Sequence, residues 1–150
     1  MSATLDHTAG AAAQAPVAPE LPSVAKAATW ALGACLAVPM ALFAAASFAG
    51  TPLDVVRSDG REVTVTAGTG GVTVLLAVGA GTLLLASVGR RSRRAWLGVA
   101  AAGAVAGIAS TAAPLTSTAA PVTTALLVAM HVLCGLVWAT VLVSLLRRAA

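Results

Sequence analysis

The chain has 150 residues, of which 59% are hydrophobic and 9% charged, with a formal net charge of +4. A soluble domain of this size has a large surface-to-volume ratio and carries roughly a quarter charged residues, so the composition excludes an ordinary water-soluble core. Nucleic acid is excluded as a partner too. The arginines are confined to short clusters between apolar runs, Tyr is absent, and both Phe lie inside an apolar run, leaving no aromatic platform beside a basic face.

Residues 1–22 are rich in Ala, Pro and Thr, with Asp6 and Glu20 and almost no large apolar group. This composition is expected to form a disordered cytoplasmic tail. No Lys or Arg precedes Lys26, so the basic leader of a signal peptide is missing. Ala44-Ala45-Ala46 offers a peptidase small residues, but the preceding run is too long for a usual signal core. Leu32-Gly33-Ala34-Cys35 has the look of a lipoprotein acylation site. There the chain would turn polar after the Cys, whereas here it stays apolar through Ala49.

Crossing the hydrocarbon layer takes a helix of about 20 mostly apolar residues. Four runs qualify or come close: Ala27 to Gly50, Val72 to Gly89, Ala95 to Leu115 and Val122 to Leu146. They are continuously apolar, unlike the alternating strands of a membrane barrel, and helices satisfy their own backbone in lipid. The expected fold is an all-α membrane protein, a four-helix transmembrane bundle over 23–150, with helices near 25–50, 70–89, 94–115 and 121–147. The second run is the shortest, so Gly70 and Gly71 are candidates for its first turn. The third is mostly Ala and Gly and is expected to be packed on much of its circumference.

Between the first two runs, Asp59-Gly60 suits a type I′ turn, and Arg61 to Thr66 alternates with period two. A small extracellular β-hairpin is one reading and an irregular loop is the other. Isolated hairpins are marginal, so a folded one has to rest on the helix ends.

Orientation follows the basic residues, because short positively charged loops stay in the cytoplasm. Arg90, Arg91, Arg93 and Arg94 join the second and third runs, Arg147 and Arg148 follow the fourth, and Lys26 precedes the first. The opposite side holds Arg57 and Arg61, offset by Asp54, Asp59 and Glu62. Four crossings of a bacterial cytoplasmic membrane with both termini inside satisfy this distribution. The arginines are read as topology determinants ahead of lipid-headgroup recognition.

Small residues four apart let helix backbones approach in lipid. Candidate packing positions are Gly33, Ala37 and Ala41 in the first run, Gly81 in the second, Gly103 and Gly107 in the third, and Gly135 in the fourth. A tight bundle is their expected use, and a homo-oligomer through a spare stripe is the second. In the fourth run, His131 is the one ionisable group deep in a span apart from the thiols Cys35 and Cys134. Counting from the membrane faces at about 1.5 Å per residue puts it level with Pro39 and Thr82. Pro39 cannot donate to the carbonyl of Cys35, so that oxygen is left free. His131, Thr82 and Pro39 form the candidate midplane polar site, although a structural hydrogen bonder is the favoured reading of His131. No metal is expected, because His131 and Cys134 lack a third ligand. The same depth count separates Cys35 from Cys134 and predicts two free thiols. No cofactor is expected.

The Leu-Leu-Val-Ala-Met-His-Val-Leu-Cys-Gly segment of the fourth run, with Leu-Leu-Arg-Arg after it, resembles an uncharacterised family of small four-span actinobacterial membrane proteins. The Val-Thr-Val-Thr lead-in to the second run and the Ala-Ala-Pro-Leu end of the third share this resemblance. It covers roughly Val24 to Arg148, and Met130-His131 is its most distinctive pair. The resemblance implies a shared architecture and no activity.

Three function classes compete. A non-enzymatic structural or partner-binding membrane component is favoured, with the lipid bilayer and a further copy or another membrane protein as partners. A small oligomeric transporter or channel with a site near His131 comes second. An enzyme is poorest, since no Ser–His–Asp set, paired acids, HExxH or phosphate loop appears, and His7 stands apart in the tail.

Overall fold

The structure, a computed structural model, describes residues 21–149. The expected tail at 1–22 lies almost wholly outside the described residues. Along the chain run α1 (Val24–Phe48), β1 (Asp54–Val56), β2 (Glu62–Thr64), α2 (Ala67–Ser87), a 3-10 turn (Gly89–Arg91), α3 (Arg93–Ala109), α4 (Ala112–Thr116), β3 (Thr118–Ala119) and α5 (Pro121–Arg148). Joined across its short interruptions, the chain forms four helices long and apolar enough to cross a membrane, spanning Val24–Phe48, Ala67–Arg91, Arg93–Thr116 and Pro121–Arg148.

Local chemistry sets the helix limits. Ser23 caps α1, accepting the Lys26 N–H. A Thr66–Thr69 capping box starts α2 three residues before the expected boundary, which draws Gly68, Gly70 and Gly71 into the helix. At the start of α3, Ser92 accepts the Ala95 N–H at 3.1 Å. Pro121 opens α5 at its first turn, where a missing N–H costs nothing. The third span breaks at Ser110–Thr111 because Pro114 has no N–H for the Ser110 carbonyl. That oxygen accepts the Ala113 N–H at 3.2 Å instead, and the chain resumes as α4.

α5 is the central element, packed on α1 along one side and α3 along the other, while α2 lies mainly against α1. The buried cluster follows these contacts, from Ala27, Ala31 and Cys35 to Trp96, Val99, Trp138, Leu142 and Leu146. Outward faces remain apolar: Val72, Leu75, Leu76 and Leu83 of α2 are exposed. Lipid tolerates such a surface, whereas water would not.

A small three-stranded sheet in the order β2-β1-β3 caps one end of the bundle. The expected hairpin is there, pairing Asp54 with Thr64 and Val56 with Glu62, but its turn differs from expectation. Asp59 keeps a negative φ and only Gly60 enters the left-handed region, at φ 81°. The Gly60 N–H bonds the Arg57 carbonyl and the Arg57 N–H bonds the Arg61 carbonyl, both at 2.9 Å. A three-residue loop with one left-handed glycine thus replaces the two-residue type I′ turn. β3, which the sequence did not announce, pairs Val55 with Ala119. Leu53 and Val55 are buried beneath the sheet, and Thr123 of α5 donates to the Pro52 carbonyl at 2.7 Å. These contacts hold the hairpin on the helix ends.

Candidate functional site

The bundle interior is built at two crossings of α5. Against α3, glycine meets glycine. A methyl group added to Gly107 would stand 2.7 Å from the Gly135 α-carbon and 2.9 Å from the His131 carbonyl oxygen, so the two backbones are in contact. One turn further along, the Trp138 ring lies over Gly103 and Gly81, where an added methyl group would stand 2.1 and 2.8 Å from ring atoms. The indole therefore fills the space among α2, α3 and α5. Its N–H points to the Val99 carbonyl at 3.4 Å, and the Trp96 N–H bonds the Leu142 carbonyl at 2.9 Å. Trp96 is fully enclosed. Each helix thus sends one indole into the other, and each indole N–H finds a backbone acceptor, as a buried Trp requires.

Gly81, Gly103, Gly107 and Gly135 all meet neighbours in this interior, whereas the α1 series lies elsewhere. Gly33 has no atom within 4 Å of an added methyl group, and Ala37 and Ala41 are exposed. The series on α1 that turns inward is Ala27, Ala31, Cys35 and Pro39, also spaced by four. Both series have the same period, and only the positions of the other helices decide which one is covered.

The midplane polar candidates do not converge on one site. The His131 Nδ1 is 2.7 Å from the Leu127 carbonyl one turn back on its own helix. Thr82 is half-buried on α2 and Pro39 is buried on α1. No hydrogen bond joins the three among the described residues.

Pro39 acts at another place. Its missing N–H leaves the Cys35 carbonyl without a helical partner, and the Cys134 thiol fills the vacancy at 3.5 Å. In return the Cys35 thiol donates to the Cys134 carbonyl at 3.6 Å. The depth count that separates the two cysteines is therefore corrected: they face one another across α1 and α5, both as free thiols. That count took both helices to start at one plane. α5 runs 14 residues past Cys134 to Arg148 and α1 begins 11 residues before Cys35, a mismatch of about 4.5 Å at 1.5 Å per residue.

Arg90, Arg91, Arg93, Arg94, Arg147 and Arg148, expected to set topology, are all exposed. The Trp96–Leu142 bond brings the start of α3 beside the last turns of α5, so both arginine groups lie at one end. Asp54, Asp59 and Glu62 belong to the hairpin at the other. Sequence reasoning missed Trp138, Trp96, Thr123 and the facing cysteines. The signal for the indoles was present, since Trp96 precedes Gly103 and Trp138 follows Gly135 on the faces that carry the glycines.

No curated protein and no solved structure matches the chain. Residues 19–150 match the model of a family of unknown function, DUF6069, and the chain belongs to that family.

Proposed function

We propose that this protein is a non-enzymatic component of a bacterial cytoplasmic membrane that acts by packing against, or binding, another membrane constituent. The reading rests on one observation: the Trp138 indole fills the centre of the bundle where a permeation path would need water. His131 and the two cysteines are spent on internal bonds, His131 on Leu127 and each cysteine on the other's carbonyl. The arginine end faces the cytoplasm and the hairpin faces outward, in keeping with the positive-inside rule. Partners are lipid and either a second copy or another membrane protein. In-membrane crosslinking and pull-down from the native host test this. Recovery of a specific partner, unaffected by His131→Leu, is expected. Proteoliposome flux of protons, ions or small amphiphiles lost on His131→Ala would overturn it.

A small oligomeric transporter is the second reading. It is favoured by the half-buried position of His131, about 15 Å from the start of α5 and so deep in the span.

A further inference from the structure

Neither reading gives the facing cysteines a role beyond their mutual backbone bonds. Cys35 of α1 is 2% exposed, and Cys134 of α5 is half-buried. Each thiol reaches the other's backbone carbonyl, at 3.6 and 3.5 Å. Reciprocal contacts of this kind fix both side chains along one line between the helices. Ala31, one turn before Cys35, is fully buried and keeps the backbones close. A disulfide requires Cα atoms roughly 4.4–6.8 Å apart with converging Cβ vectors, and each thiol already lies against the other residue's backbone. Exposure differs between the two sulfurs. Cys134 keeps part of its surface open within a span, whereas Cys35 is enclosed.

We propose that Cys35 and Cys134 are an intramembrane dithiol that closes to a disulfide when a lipid-soluble two-electron oxidant reaches Cys134, tying α1 to α5. The oxidant class is a membrane quinone or a comparable neutral acceptor. Cys134 sulfur adds to the acceptor first, and Cys35 sulfur then displaces the reduced acceptor from it. Both S–H bonds break and one S–S bond forms. Two electrons and two protons pass to the acceptor, so that a quinone leaves as the quinol. Water-soluble oxidants are excluded by depth: Cys35 lies 11 residues into α1 and Cys134 lies 14 residues before the end of α5. The bond would close a loop across 99 positions of sequence and fix the crossing of the first and last spans.

The test uses the full chain in liposomes, oxidised with a short-chain quinone, then denatured, alkylated and weighed intact. The expected result is joint loss of both alkylation sites in a monomeric product, restored by dithiothreitol. In Cys35→Ser, whose hydroxyl can keep the bond to the Cys134 carbonyl, a lipid-soluble maleimide should label Cys134 while a membrane-impermeant one does not. Two alkylatable thiols after oxidation of the wild type would overturn the proposal, as would a covalent dimer. So would failure of the lipid-soluble maleimide to label Cys134 in the Cys35→Ser protein.

Discussion

The α-carbons of Gly107 and Gly135 face each other so closely that a single methyl group on Gly107 would stand 2.7 Å from its counterpart. Side-chain rearrangement cannot relieve that contact, because the neighbouring atoms are backbone. Gly107→Ala must therefore push α3 away from α5, and overpacking of this sort costs about 1–3 kcal/mol. Gly33→Ala is the control, since nothing lies within 4 Å of its added methyl group. Thermal unfolding in detergent should show a clear loss of Tm for the first and little change for the second. Equal effects would mean that α3 and α5 do not cross at these glycines.

Trp138 and Gly103 form a second, separable contact. Trp138→Ala empties a large volume, and such truncations cost about 3–5 kcal/mol in a packed core. Gly103→Ala drives a methyl group to 2.1 Å from the indole. The two defects are complementary, so Gly103→Ala combined with Trp138→Leu should lose less stability than the two single losses added together. A double-mutant cycle read by denaturant unfolding measures the coupling. Strict additivity would show that the ring does not occupy the groove over Gly103.

How much of this was legible beforehand depends on the kind of signal. The four spans follow from hydropathy alone, because a run such as Ala27 to Gly50 has only one way to satisfy its backbone in lipid. On α3 and α5, Gly103, Gly107 and Gly135 stand where the two helices come into contact. On α1, Gly33, Ala37 and Ala41 do not line the bundle interior, whereas Ala27, Ala31 and Cys35 do. Gly33, Ala37 and Ala41 have the same period as Ala27, Ala31 and Cys35, and nothing local separates the two faces. Depth counting failed for Cys35 and Cys134 because it fixes each helix against a plane, whereas packing fixes helices against one another. The freed Cys35 carbonyl was predictable from Pro39. Its recipient was not, because a contact between spans far apart in sequence leaves no local trace.

Thr123 makes a prediction about the hairpin. Its hydroxyl is fully buried and bonds the Pro52 carbonyl at 2.7 Å, which fastens the chain leading into β1 to the start of α5. Thr123→Val keeps the bulk and removes the donor, for a net loss of about 0.5–1.5 kcal/mol. That loss falls on the sheet and not on the helix core. Overall Tm should therefore change little, while trypsin cleaves faster at Arg57 and Arg61. Cleavage at the wild-type rate would show that the sheet is held by Leu53 and Val55 alone.

Topology is the remaining prediction. Seven of the nine Lys and Arg residues stand at one end of the bundle, and that end holds none of Asp54, Asp59 and Glu62. Positive residues flanking short loops hold those loops in the cytoplasm. A reporter inserted between Asp59 and Gly60 should accordingly be active outside the membrane, and one fused after Ala150 should be active inside. Replacing Arg90, Arg91, Arg93 and Arg94 with Ser removes the strongest determinant but leaves Lys26, Arg147 and Arg148, so the orientation should become mixed without reversing. Moving two arginines into the uncharged loop around Ser117 of that variant should then shift the mixture further. Matching signals from the two wild-type fusions would require an odd number of membrane crossings between Gly60 and Ala150 to become even. The third span, broken at Ser110 and least apolar of the four, would then be the one to reassign.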